Sequence, residues 1–154
     1  MRATALLGLV VCAAMGSVAL ADGGHLGTWK LNEAKSKFAE GSTKNGTVIY
    51  EAIVDTIKVT VDGTTADGKT VHSEWTGKFD GKDYPVTGDP TSDMRSYIKK
   101  NEDEVLEFTA KMAGKVTLTG SVELSKDGKS RTVKTVSTNE KGKKQKSTAV
   151  YDRQ

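Results

Sequence analysis

The sequence predicts an all-β protein, an antiparallel up-and-down meander of about eight to ten strands that closes into a β-barrel. Three observations predict it. After Leu31, apolar and polar residues alternate repeatedly, as in strands with one buried face. Short turn signals separate these runs, and strands joined by tight turns must be antiparallel. Because about nine strands follow one another, closure would remove the two bare edges of an open sheet. A β-sandwich is the alternative.

Five of the strands are predicted from the alternation of apolar and polar residues, which places every second residue on the inward face. These residues are Ile57, Val59 and Val61; Val71, Ser73, Trp75, Gly77 and Phe79; Met94, Ser96 and Ile98; Leu106, Phe108, Ala110 and Met112; and Val116, Leu118, Gly120, Val122 and Leu124. Further strands are predicted at Gly27–Leu31, Thr47–Ile53, Ser130–Ser137 and Ser147–Arg153.

Turns are predicted where Gly, Asn or Asp tolerates a positive φ. They fall at Asp67-Gly68, Asp80-Gly81, Asn101-Glu102-Asp103, Ala113-Gly114, Asp127-Gly128 and Lys141-Gly142. Two segments fit no simple pattern. Residues 32–46 are compatible with a helical turn, and residues 83–93 with a long loop that holds a short strand.

The N-terminal residues indicate export. Met1-Arg2 is a short positive region, an apolar run follows, and Ala19-Leu20-Ala21 has the A-x-A form of a signal-peptidase site. We therefore expect residues 1–21 to be a signal peptide and residues 22–154 to be one domain in the periplasm or outside the cell, with no membrane span left after cleavage. An uncleaved membrane anchor is the alternative. Since the only cysteine is Cys12, no internal disulfide is expected in the mature chain.

The amount and distribution of charge argue against a nucleic-acid partner. The formal net charge is only +3, with acidic and basic residues interspersed. One basic cluster, residues 141–146, lies at a predicted turn and contains no aromatic residue that could stack on a base. We interpret it as a solvated loop.

No group of residues predicts catalysis or metal binding. Of the two histidines, His25 is expected in an N-terminal tail and His72 on the polar face of its strand. There is no G-x-S-x-G motif, and two histidines without an available cysteine cannot form a closed zinc site without several carboxylates. No enzyme activity, cofactor or metal is therefore expected, although a barrel enzyme without a recognisable motif is a third, weaker possibility.

Several strings resemble known barrel proteins. Gly27-Thr28-Trp29 resembles the G-x-W motif that opens the first strand of lipocalins and other calycins. The longer strings 27–32, 35–38, 80–88 and 149–151 are similar to those of small secreted bacterial lipocalin-like proteins of unassigned function. The resemblance implies that Trp29 lies at the closed end of the barrel and that a basic residue of the last strand, here Arg153, packs over its ring.

The inward residues allow two functions. In the leading hypothesis the barrel holds a small apolar or amphipathic ligand, without chemistry, in a cavity walled by six residues of inward parity: Trp75, Phe79, Met94, Ile98, Phe108 and Met112. In the rival hypothesis the barrel is filled and the protein is an interaction or structural module of the cell envelope, acting through the surface loops 82–92 or 141–146. The oligomeric state is open, with a monomer favoured.

Overall fold

A computed structural model describes residues 24–100 and 105–154 of the chain. These residues form ten strands and no helix. The strands are β1 (Gly27–Lys37), β2 (Lys44–Ile53), β3 (Thr56–Thr64), β4 (Thr70–Gly77), β5 (Tyr84–Thr87), β6 (Met94–Lys100), β7 (Val105–Met112), β8 (Lys115–Leu124), β9 (Ser130–Thr138) and β10 (Lys144–Arg153). Each strand pairs antiparallel with the next, and β1 also pairs with β10, which closes the barrel. The predicted fold class is confirmed.

Polar side chains and glycine shape the tight turns, as in the β9–β10 hairpin. Gly142 has a φ of 74°, which is accessible to glycine at little steric cost. The Asn139 side-chain oxygen accepts hydrogen bonds from the backbone N–H groups of Lys141 and Lys143, at 3.1 and 2.9 Å. The turn predicted at Lys141-Gly142 is therefore present. The predicted signal peptide and the turn predicted at residues 101–103 lie outside the described residues.

β1 is longer than predicted. The chain after Leu31 continues as a strand to Lys37, with a bulge between Asn32 and Lys37 in its pairing with β10. Within the bulge the Ser36 hydroxyl donates to the Asn32 carbonyl oxygen at 2.7 Å and accepts from the Val150 N–H at 2.9 Å. These bonds satisfy backbone groups that the ladder leaves unpaired, so no helical turn is needed. Residues 83–93 do contain a short strand, β5, within a long connection.

The inward face predicted for β6 is wrong. Tyr97 is buried, whereas Ile98 is 38% exposed. Because side chains alternate along a strand, Met94 and Ile98 therefore lie on the outward face and Arg95 and Tyr97 on the inward face. The aliphatic residues outweighed Arg95 in the sequence pattern, yet in the fold Arg95 is buried against a carboxylate.

Two other sequence expectations are corrected. His25 is fully buried rather than part of a tail, and its carbonyl oxygen accepts a hydrogen bond from Trp29 Nε1 at 2.9 Å. Val116 is 55% exposed, because a register shift between Ala110 and Lys111 in the β7–β8 pairing turns it outward.

The two ends of the barrel differ. We call the end with residues 24–26 and the β2–β3 and β8–β9 connections the closed end. The open end carries the β1–β2, β3–β4, β5–β6, β7–β8 and β9–β10 connections. Trp29, Tyr50, Ile57 and Leu106 are buried near the closed end, so the hydrophobic core occupies that half.

Candidate functional site

Aromatic side chains fill the half of the barrel next to the closed end. The Trp75 ring centroid lies 4.8 Å from that of Tyr97 and 6.3 Å from that of Phe79. Tyr50 packs edge-on against both of these neighbours, at 6.5 and 6.4 Å. Trp75 Nε1 also donates to the Arg95 carbonyl oxygen at 2.9 Å. Offset and edge-to-face pairs of this kind are favourable beyond their buried area, so this half is a packed core.

Inward side chains become smaller toward the open end. In β4 the inward residue changes from Trp75 to Ser73, and in β10 it changes from Tyr151 to Ser147. A cavity of about 490 Å³ occupies the space that results, and it opens to solvent. Hydroxyl groups form much of its wall, together with aliphatic side chains; the hydroxyls include Ser42, Ser73, Thr117, Thr135, Ser137 and Ser147. We call this space the outer cavity.

A smaller chamber of about 90 Å³ continues the outer cavity toward the closed end. The two spaces share wall residues, among them Val61, Leu118 and Thr135. The wall of this inner chamber adds Arg131 and Phe108, and none of the described residues that line it carries a carboxylate. The interior therefore changes from a hydroxyl-rich mouth, whose wall holds Asp89 and Arg95, to a chamber whose described wall residues include Arg95 and Arg131 but no carboxylate.

Arg131 is the unusual residue of the inner chamber, since it is 2% exposed and makes no ion pair with any described residue. Its guanidinium carbon lies 4.7 Å from the ring centroids of both Trp29 and Tyr50, and 5.3 Å from that of Tyr151. Aromatic faces stabilise a desolvated cation. The guanidinium Nε and Nη1 nevertheless have no hydrogen-bond partner, although buried polar groups usually have one.

A second buried arginine is neutralised, by contrast. Arg95 Nη2 donates to Asp89 at 2.7 Å, and the two side chains are 12% and 14% exposed. Burial raises the pKa of Asp89, but hydrogen bonds from Ser92 and Thr91 and the charge of Arg95 lower it more, so the net shift is downward. Asp89 is therefore an ionised partner for Arg95.

The tyrosines around Arg131 do not supply negative charge. Burial raises the pKa of Tyr151 to about 12, although the charge of Arg131 opposes that shift. Burial also raises the pKa of Tyr50, with Tyr97 acting in the same direction and Arg131 opposing it. Both phenols are protonated near neutral pH, whereas an arginine stays charged in proteins. The inner chamber therefore contains an uncompensated positive charge.

The structure distributes the six predicted wall residues among three environments. Met112 lines the outer cavity and Phe108 lines the inner chamber. Trp75 and Phe79 belong to the packed aromatic half, and neither lines the outer cavity or the inner chamber. Met94 and Ile98 lie on the outward face of β6. The alternation of apolar and polar residues identified the interior positions in β4 and β7 correctly. It does not indicate how far along the barrel axis each side chain lies.

Small inward residues have two different roles. A Cβ built on Gly120 would lie 2.5 Å from Phe108 Cζ, and one built on Gly77 would lie 2.6 Å from the Trp75 and Tyr84 rings. These glycines are therefore covered by aromatic rings, and their positions add no empty space. Ser73, nearer the open end, lines the outer cavity instead.

At the closed end, Trp29 is fully buried and contacts two arginines. Besides Arg131, the Arg153 guanidinium carbon lies 4.2 Å from the Trp29 ring centroid. Arg153 also donates to the backbone carbonyl oxygens of Gly128, Leu26 and Gly24, and Gly27 lies beside it. This is the arrangement that the family resemblance implied for Trp29 and Arg153. Arg131 was missed, because a charged residue in an alternating strand is normally read as outward.

No metal site is evident in the described part of the chain: no three histidine, cysteine, aspartate or glutamate residues are grouped to hold an ion. His72 lies on the outward face of β4 as expected, with its Nδ1 2.6 Å from Asp62 Oδ1. Hydrogen bonding to Asp62 raises the pKa of His72, with the charges of Asp62 and Glu74 adding to the shift. In residues 24–100 and 105–154 there is no helix long and apolar enough to cross a membrane.

Comparison with known proteins supports the barrel fold. No protein-family model and no curated protein matches the chain. The solved structure of EF1p2_mFAP2b bound to DFHBI is similar over 88% of this chain and 100% of its own, with 12% identity and a TM-score of 0.51. A redesigned β-barrel, mFAP1, also bound to DFHBI, matches over 86% of this chain and 98% of its own, with 15% identity and a TM-score of 0.49. At such identities the likeness concerns the fold alone.

Proposed function

We propose that the protein is an exported carrier that holds a small apolar or amphipathic molecule in its barrel and performs no chemistry on it. The outer cavity is the observation that carries this proposal. Its volume of about 490 Å³ lies within the range of roughly 300–1,000 Å³ typical of small-molecule sites. Hydroxyl groups beside aliphatic side chains in its wall favour an amphipathic ligand over a purely apolar one.

Three further observations support the proposal. The barrel fold is shared with EF1p2_mFAP2b, which was solved bound to the small molecule DFHBI. The G-x-W resemblance favours a lipocalin-like carrier, and the A-x-A pattern before Asp22 favours export to the periplasm or beyond.

The rival function is an envelope interaction module that acts through surface loops. One of its two candidate segments, residues 82–92, contributes Asp89, Pro90 and Thr91 to the wall of the outer cavity. Since this segment faces the cavity as well as solvent, its position favours a role in ligand binding. The other segment, residues 141–146, is a lysine-rich hairpin at the same end.

Native mass spectrometry of the protein purified from its source tests the proposal, because a bound small molecule adds a defined mass. A matched pair of variants then locates the site. Thr135 lines both spaces, so Thr135→Trp should fill the cavity and remove the added mass. Thr132 lies on the outward face of the same strand, so Thr132→Trp should retain it.

A co-purifying second protein instead of a small molecule would favour the interaction module. The carrier function is wrong if two results are found together: the source protein carries no small molecule, and purified protein binds no fatty acid, isoprenoid or aromatic probe saturably. Equal binding by Thr135→Trp and wild type would place the ligand elsewhere.

A further inference from the structure

We propose that the inner chamber receives the anionic head group of an amphipathic ligand and that the guanidinium of Arg131 binds it. This inference rests on the carrier function proposed above and deepens it by naming the chemical class of the ligand.

Arg131 lacks some of the hydrogen-bond partners that a buried guanidinium usually has. Its side chain is buried and lines the inner chamber, and its Nε and Nη1 have no hydrogen-bond partner. A guanidinium presents planar N–H donors that match the two oxygens of a carboxylate or phosphate. An anionic group in the chamber would therefore supply the missing acceptors and the missing counter-charge together.

The charge balance of the interior also favours an anionic head group. Arg95 is neutralised by Asp89 at 2.7 Å. No described residue that lines the inner chamber carries a carboxylate. A neutral head group would leave the Arg131 charge unbalanced, and a cationic one would be repelled by it. Only an anion removes the imbalance.

The order of the two spaces along the barrel determines which end of a ligand would reach Arg131. The inner chamber, about 90 Å³, is smaller than the outer cavity, about 490 Å³, and the two share wall residues. The chamber exceeds the roughly 10–15 Å³ that one water molecule requires, and it suits a compact group better than a long chain. A ligand would therefore enter head first, with its apolar tail against Val61, Val71, Leu118 and Val133 in the wider space.

A purely structural role for Arg131, as a cation packed on three aromatic rings, is the competing explanation. The chain offers a matched control for it. Arg153 also lies over the Trp29 ring, at 4.2 Å, but lines neither space. If packing on Trp29 were the whole role of both arginines, removal of either would leave ligand selectivity unchanged.

The test measures binding of four probes that share one alkyl chain, decanoate, decyl phosphate, decanol and decylamine, by isothermal titration calorimetry at neutral pH. We expect wild type to bind at least one of the two anions ten-fold or more tightly than decanol and decylamine, and the comparison of decanoate with decyl phosphate identifies the head group. Arg131→Met should lose this preference, and Arg153→Met should keep it. Circular dichroism melts establish that each variant is folded.

The outcomes separate the two proposals. Binding of decanol as tight as that of both anions would leave the carrier function standing and overturn the role of Arg131. A preference for anions that persists in folded Arg131→Met would also overturn it. If Arg131→Met does not fold, the four probes still decide the question on wild type, because absence of anion preference refutes the inference. No binding of any probe by wild type would refute the carrier function for this ligand class and the inference with it.

Discussion

Replacing Trp29 with alanine tests whether the closed end stabilises the barrel. Trp29 is fully buried, and its ring lies within 4.7 Å of both the Arg131 and Arg153 guanidinium carbons. Its Nε1 donates to the His25 carbonyl oxygen at 2.9 Å. The alanine variant would remove the ring, both cation–π contacts and that hydrogen bond at once. It would leave a buried guanidinium, that of Arg131, with one aromatic neighbour fewer.

The expected loss follows from these contacts. Truncating a buried tryptophan to alanine costs about 3–5 kcal/mol, and leaving a buried carbonyl without its donor costs about 1–3 kcal/mol. The two effects are not strictly additive, so we expect the free energy of unfolding to fall by about 4 kcal/mol or more. Since small domains are stable by only about 5–15 kcal/mol, the variant should be unfolded or severely destabilised.

Thermal and urea denaturation followed by circular dichroism measure the effect. A domain of this size should lose about 3–5 °C in Tm per kcal/mol, so a folded Trp29→Ala variant should melt at least about 12 °C lower. Trp29→Phe keeps a ring but not the donor and should lose about 1–3 kcal/mol. Arg153→Ala should cost less than Trp29→Ala, because Arg153 is only partly buried. A Trp29→Ala melt within a few degrees of wild type would refute this account of the closed end and weaken the lipocalin resemblance.

Four other predictions follow from single features. Gly120→Ala should lower the free energy of unfolding by about 1–3 kcal/mol through overpacking, because its Cβ would meet Phe108 and the Lys134 carbonyl oxygen. Gly46→Ala is the control, since the nearest atom to its Cβ would be 3.7 Å away. Equal urea midpoints for the two variants would contradict the packing around Gly120. NMR titration should give a His72 pKa above the ordinary 6.5, because the hydrogen bond and charge of Asp62 favour the protonated ring. The stability it contributes is then complete below pH 6.5 and lost as the pH rises through the raised folded-state pKa, and a pKa at or below 6.5 would contradict this. Neutralising Lys143, Lys144 and Lys146 to Gln should leave saturable ligand binding unchanged in low and moderate salt, since the ligand is held inside the barrel; loss of binding would favour a surface site. N-terminal sequencing of exported protein should begin at Asp22, and a chain that begins at Met1 in a membrane fraction would indicate an uncleaved anchor.

The fold was predictable because its strongest signals are local. Alternation in β3, β4 and β7 requires only that one face of each strand be buried. The described turns follow from residues such as Gly142 that tolerate a positive φ. The continuation of β1 to Lys37 was not predictable, because it depends on Ser36 bonding to Val150 in a strand far along the chain.

The charged interior could not be predicted from the same pattern. Arg95 and Arg131 occupy inward positions, and alternation alone assigns arginine to the solvent face. Arg95 is buried because Asp89, on a preceding loop, neutralises it, and Arg131 is buried because rings from β1, β2 and β10 surround it. Both conditions arise only when the barrel closes.

The position of the cavity also depends on closure, because side-chain size alone does not decide whether space is filled. Gly77 and Gly120 contribute no space, since aromatic rings of neighbouring residues cover them, whereas Ser73 lines the outer cavity. What distinguishes them is the order of residues along each strand, which places Trp75 and Tyr151 toward the closed end and Ser73 and Ser147 toward the open end. Stability is thereby concentrated in the half of the barrel next to the closed end, and most of the empty volume lies in the other half. Substitutions in the outer cavity should then change ligand binding at little cost in stability, and a substitution that reduced both equally would show that the halves are not independent.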